Sequence, residues 1–400
     1  MTVDTSLPPT NGTAPVKKTG KKRKLATEAV IIGAIALIFI VGAPLVLSDF
    51  RLNLLGRFLS LVIVALGIDL IWGFTGLLSL GHGIFFALGG YALAMHLNLQ
   101  LPEGQIPEFF GLYGVAELPW FWTPFYSFPF TVVAIFVIPG IVAGLLGYLV
   151  FRNRIRGVYF SILTQAALVV FFNFFNGQQK LINGTNGLKT DTEEIFGVLA
   201  SSDEARLGFY IVTVLMLVGG YVVCRWLTSG RFGRLLMAIR DDETRVRFTG
   251  YDPTGFKVFV FVVSGALAGV SGALYTVQSG IITPNAMEVA FSIEMVIWVA
   301  VGGRATIVGA VIGTLIVRWG RTILSEQFPE IWLFFLGALY LIVVTVLPNG
   351  IVGWLRHQAA GQLRSVFGRS QPVATYPSLE FDPDVKQEKE ALQSSSTKEG

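Results

Sequence analysis

Asp69, His82 and Glu294 are ionisable side chains set inside apolar stretches, and Thr75, Ser79, Asn183 and Asn186 add hydroxyl and carboxamide groups near glycine-rich breaks. Acid, imidazole and hydroxyl together raise the question of catalysis. The pattern argues against it: the three histidines include no HExxH, no nucleophile sits at a recognisable spacing from a base, and the single Cys224 can form neither an internal disulfide nor a metal cluster. No GxxxxGK[ST] occurs either, so the chain holds no Walker A lysine for the β and γ phosphates, and any ATP hydrolysis takes place elsewhere. What remains for these groups is to offer donors and acceptors to a small polar solute or to one another.

The elements that position them are read from composition. Of 400 residues, 53% are hydrophobic and 14% charged, against about 25% charged in an ordinary soluble domain. This predicts an all-α polytopic membrane protein of about eight to ten transmembrane helices with disordered polar termini. Apolar runs fall at 30–48, 57–75, 83–99, 128–150, 157–175, 207–227, 258–281, 291–302, 305–318 and 331–347. The two that flank Gly302, Gly303 and Arg304 are too short to cross ~30 Å of hydrocarbon and read as half-spanning helices joined within the membrane. The expected organisation is a basic cytoplasmic tail over 1–28, a permease domain over 29–356 and a polar cytoplasmic tail over 357–400. The run after KKTGKKRK (17–24) is long enough for a retained anchor, with a cleaved signal as the alternative.

Charge supplies the orientation. With the basic tail inside and sides alternating, Arg152, Arg154 and Arg156 and the seven Lys/Arg from Arg225 to Lys257 fall on the inner side, and an even number of spans puts both termini in the cytoplasm. The stretch 100–127 holds Glu103, Glu108 and Glu117 without a Lys or Arg, as an external loop should. Its aromatic cluster around Trp120, Trp122 and Phe125 suits an interfacial belt.

Polar residues within spans must be paired, face protein or water, or serve transport. FTGLLSLGHG (74–83) interrupts its helix with glycines and either borders a permeation route or forms a packed helix junction. Asp69 is matched with Arg57 or Arg304, whereas Glu294 lies ten residues from Arg304, ~15 Å along a helix, and must meet another helix, a backbone donor or water. Gly140/Gly144, Gly265/Gly269 and Gly309/Gly313 sit four apart, as close helix packing in membranes requires.

The internal segment 229–257 is polar and too long for a simple turn. From Phe232 to Phe248 it is amphipathic, with Asp241, Asp242 and Glu243 expected mid-helix beside arginines. Such a helix docks in a groove of a soluble protein or rests on anionic headgroups.

GFTGLLSLGHGIFFALGGYALA (73–94), NGTNGL (183–188), SGRFGRLLMAIRDDETRVRFTGYD (229–252), FVVSGALAGVSGALY (261–275) and VGGRATIVGAVIGT (301–314) together resemble, in order, the motifs of bacterial ABC-importer permeases of the branched-chain amino acid type. SLGHG followed by FFALGGYA, and the GGR triplet, are similar to the urea-importer branch, with branched-chain or other neutral amino acids or short amides as the alternative cargo and a passive channel as the alternative class. The resemblance implies one of two nonidentical permease subunits in the bacterial inner membrane. Its partners would be the second permease, two cytosolic ATPases that use ATP and Mg, and a periplasmic solute-binding protein; this chain would bind no cofactor, metal or nucleic acid. On the same ground Gly230, Arg231, Gly233, Arg234, Ala238, Ile239, Arg240, Glu243 and Gly250 form the ATPase-coupling segment. Asp69, Thr75, Ser79, His82, Asn183, Asn186 and Glu294 are the substrate-pathway candidates.

Overall fold

The computed structural model describes residues 28, 30–102, 105–191, 194–195 and 198–331, then 334, 335, 337, 338, 341, 345 and 350–355. The tails expected at 1–28 and 357–400 lie outside these residues save for Glu28, as does Glu103. The chain separates into units Met1–Trp354 and Leu355–Gly400, and the elements named here belong to the first.

Long apolar runs become long helices because a backbone in hydrocarbon has only its own carbonyls to bond. In order they are α1 (Val30–Val46), α2 (Asp49–Thr75), α3 (His82–Asn98), α4 (Phe128–Arg152), α5 (Val158–Gly177) and α6 (Asp203–Thr228). Then come α7 (Gly230–Asp241), α8 (Glu243–Phe248), α9 (Pro253–Ser279), α10 (Val289–Gly302) and α11 (Ile307–Gln327). Six of them, α2, α4, α5, α6, α9 and α11, are long and apolar enough to cross a membrane. The protein is a polytopic all-α membrane protein. Of the last expected run, 331–347, position 331 lies in a turn and 334, 335, 337, 338, 341 and 345, the other described positions, are helical.

Helix ends follow the local chemistry. Gly76 (φ 75°) and Gly280 (φ 80°) stop α2 and α9 in the left-handed conformation that glycine tolerates, and Ser202 and Asp252 cap α6 and α9 by accepting the N–H groups of Ala205 and Thr254. Helix α11 overruns the expected stop at 318 because Arg318 and Arg321 pair with Glu294 inside the protein instead of ending the span. Of the two helices of the hairpin only α10, fourteen residues or about 21 Å long, stays as short as expected.

Helix α9 is the hub, packed on α2, α3 and α4. Its small residues admit neighbouring backbone: a Cβ on Gly265 would come 2.6 Å from the Ala143 Cβ, and one on Gly269 would collide with the Ile135 carbonyl and Pro139. Gly140 and Gly144 face Val262 from α4, and Gly309 and Gly313 press on Gly302 across the α10–α11 hairpin. Two further close approaches, Gly89 to Gly269 and Gly272 to Phe86, seat α3 on α9. Two-residue strands finish the loops: β1 (Leu188–Lys189) pairs antiparallel with β4 (Ile281–Ile282), and β2 (Glu194–Ile195) with β3 (Val198–Leu199).

Candidate functional site

The breaks after α2 and α9 bring two helix starts together within the span. The Gly83 N–H at the head of α3 donates to the Ser292 Oγ in the first turn of α10 at 3.2 Å. A Cβ on Gly83 would sit 2.7 Å from the Ala286 carbonyl, so only glycine fits. Helix α5 ties the link 76–81 to this point: Ser161 donates to the Leu78 carbonyl at 2.6 Å and Thr164 Oγ1 accepts the Leu80 N–H at 3.0 Å. The His82 Nε2 donates to Ser264 Oγ at 2.7 Å, and Ser264 passes its own hydrogen to the Gly67 carbonyl at 2.6 Å. Thr75 donates to Ile71 in its own helix, and Ser79 is buried, accepting from Gly81. These three candidates therefore face protein in a packed junction.

On the side of segment 229–257, Asp69 accepts the Ala305 N–H at 2.7 Å. It pairs with neither expected arginine: Arg57 donates Nε to the Gln278 carbonyl at 2.8 Å, and the Arg304 guanidinium lies 5.0 Å over the Trp72 ring. Gly73 is wedged between Asp69 and Ala305, and its carbonyl accepts from Arg240 Nη1 at 2.9 Å. Segment 229–257, the end of α2 and the α10–α11 turn thus meet at one spot.

Glu294 is held by Arg318 at 3.2 Å and by Arg321, both on α11. Arg318 also stacks over Phe58 and Trp298, 5.6 and 5.8 Å from the ring centroids. Asn183 and Asn186 lie far along the chain's other loop: Asn183 (φ 58°) bonds the Gly187 carbonyl at 2.8 Å, and Asn186 reaches the Tyr113 hydroxyl at 3.3 Å. That loop packs on 100–127, where Trp122 donates to the Leu181 carbonyl at 3.1 Å. The structure does not gather the seven pathway candidates into one cavity.

The segment 229–257 is two helices, a correction to the single amphipathic helix expected over Phe232 to Phe248. Asp242 leaves helical geometry (φ −158°, ψ 94°) and caps α8 by accepting the N–H groups of Thr244 and Arg245, the job a short acid does better than helix-interior pairing. Leu236 and Ile239 are buried, as is Gly233, where a Cβ would strike the Thr228 carbonyl. Arg231, Arg234 and Ala238 are exposed, and Gly230 (φ 87°) and Gly250 (φ 88°) bracket the pair. Glu243 anchors it, bonded to Lys257 at 3.0 Å and Arg247 at 2.9 Å with Arg156 at 3.5 Å. Burial pushes the Glu243 carboxyl up, but the hydrogen bonds from Arg247 and Lys257 and the charges of Lys257 and Arg156 prevail and hold it below its ordinary value. Lys257, Ser264, Ser292, Arg318 and Arg321 were not singled out from sequence; the charged ones sat at what read as span boundaries.

Residues 50–344 match the family model described as branched-chain amino acid transport system / permease component. The chain belongs to this family. Among its relatives is the high-affinity branched-chain amino acid transport system permease protein LivM of Salmonella typhimurium, 25% identical over 360 residues, covering 84% of this chain and 76% of the relative. BraD of Pseudomonas aeruginosa, with the same description, is 23% identical over 310 residues, 73% of this chain and 91% of the relative. The ribose import permease protein RbsC of Haemophilus influenzae is 20% identical over 332 residues, 81% and 92%. No solved structure matches.

Proposed function

We propose that this chain is one permease subunit of an ATP-driven importer for branched-chain or other neutral amino acids. In this reading it sits in the bacterial inner membrane with α7, α8 and both termini in the cytoplasm. A second permease completes the route, two ATPases hydrolyse ATP with Mg, and a periplasmic binding protein delivers the solute to the outer loops. The observation that carries the reading is the charged, outward-facing α7–α8 pair whose Arg240 grips the last turn of α2. A family member of this kind needs such a handle because it has no motor of its own. Urea, suggested by SLGHG and GGR, gains nothing from relatives whose names specify branched-chain amino acids and ribose, and the amino acid alternative fits them better.

Transport would follow alternating access, with the broken helices α3 and α10 as the elements that shift. The test is uptake of labelled leucine and labelled urea by the reconstituted complex. Leucine should accumulate with ATP, and the double variant Arg231→Glu, Arg234→Glu on the exposed face should lose uptake while ATP hydrolysis and membrane insertion persist. Normal leucine uptake by that variant refutes the coupling role. Urea uptake without leucine uptake refutes the cargo.

A further inference from the structure

Helix α5 differs from its neighbours in what it leaves uncovered. Phe160, Ser161, Thr164, Leu168 and Phe175 form its buried edge, Gln165, Phe171, Phe172 and Asn176 are half-buried beside it, and the arc through Ile162, Val169, Val170, Asn173 and Phe174 is exposed. At about 100° per residue the polar and apolar positions separate around the axis. Taking Gln165 as the origin, Asn176 lies at about 20° and Asn173 at about 80°, whereas Val170, Leu163 and Phe174 lie at about 140°, 160° and 180°. All three carboxamides therefore fall within an arc of about 80°, which they share with Ile162 and Val169, while the opposite side carries Val170, Leu163 and Phe174 with Tyr159 between the two.

Gln165 is eight residues into a twenty-residue span, so it stands well inside the membrane. Neither it nor Asn176 has a hydrogen-bond partner among the described residues, and Asn173 is tied only to the Val169 carbonyl of its own helix at 2.9 Å. The other carboxamides of the helices are buried (Asn98, Gln278) or, like Asn173 and Asn176, within five residues of a helix end (Asn53, Gln327), which leaves Gln165 as the one in mid-helix. Lipid cannot satisfy an open amide, so such a face is stable only against water, a polar solute or another protein. The helix is also laced, through Ser161 and Thr164, to the link 76–81, which meets the coupling segment at the end of α2.

We propose that the Gln165–Asn173–Asn176 face of α5 is this chain's wall of the solute route, while the Val170–Phe174 face meets lipid. The inference rests on the permease reading above and adds the specificity chemistry: uncharged amides that donate and accept, suited to a neutral solute and unsuited to a bare ion. It also moves the solute-contacting role from the buried Thr75, Ser79 and His82 to α5.

The experiment uses the reconstituted complex with single cysteines in place of Gln165, Asn173, Val170 and Phe174; the native Cys224 is buried, which keeps the background low. A hydrophilic thiol reagent should modify the Gln165→Cys and Asn173→Cys proteins several-fold faster than the Val170→Cys and Phe174→Cys proteins, and leucine should slow it at the first pair only. In parallel, Gln165→Leu should raise KM for leucine about tenfold, the loss of one or two hydrogen bonds, with ATP hydrolysis unchanged. Equal labelling of both faces, or labelling that leucine leaves untouched in a complex that transports leucine, overturns the assignment. If the complex carries no leucine yet Gln165→Cys alone is labelled and another neutral solute protects it, the wall stands and the cargo reading falls.

Discussion

Lys257 is 1% exposed at its side chain, lies 5.0 Å over the Phe151 ring and depends on Glu243 for its counter-charge. Removing one member of such a pair strands a buried charge, at a cost of about 3–5 kcal/mol, whereas replacing both by apolar groups is close to neutral. Glu243→Gln should therefore lower the thermal stability of the purified protein strongly, and Glu243→Gln with Lys257→Met should recover most of the loss; no recovery would show that the pair is not what holds α8. Because the Glu243 carboxyl is held below its ordinary value of 4.5, its stabilisation is fully present above about pH 4.5 and is lost as the pH falls through the lower folded value. A denaturation profile should then be flat in this contribution from pH 5 to 8 and decline only in acid. At this scale the sequence marked Glu294 and Asp69 because charge is rare at membrane depth. Their partners were not legible, since Arg318 and Arg321 lie 24 and 27 positions from Glu294 and a backbone N–H, the donor to Asp69, leaves no trace in composition.

Elements were more legible than partners. Among the described residues hydropathy located the six long apolar helices, though it cut α11 short and read it as half-spanning. The others run past the apolar windows into polar ends: α2 begins at Asp49, not 57, and α6 at Asp203, not 207. Spacing by four also found glycines at real contacts, because backbone approach recurs once per turn. It missed Gly272, whose added Cβ would strike the Phe86 carbonyl, and Gly302, whose Cβ would strike that of Gly309. Gly272→Ala and Gly302→Ala should each reduce the yield of folded protein from membranes, while Gly219→Ala, with nothing within 4 Å, should not; equal yields would refute the packing account. The break between α7 and α8 was hidden because Asp242 fits either a helix or a cap by composition. Asp242→Ala should cost about 1 kcal/mol and speed amide hydrogen exchange across Glu243–Phe248 without affecting α7.

For the molecule as a whole, charge asymmetry gives a sidedness that a labelling experiment checks directly. A cysteine replacing exposed Thr244 should react with an impermeant reagent only from the cytoplasm, and one replacing Trp120, which is 85% exposed, only from the periplasm; the reverse pattern would invert the orientation and detach α7–α8 from any cytosolic ATPase. The solute route was the least legible feature, because a surface shared with another chain is specified by no residue of this one alone; the proposal for α5 needed the burial of the folded helix. The link 76–81 has one last consequence. Its ends are fastened to different things, Arg240 at the α2 terminus and the α3–α5–α10 meeting point in the membrane interior. In the proposed importer a nudge delivered to α7 would therefore pull first on the last turn of α2 and pass along a tether of six residues to the place where α3, α5 and α10 join.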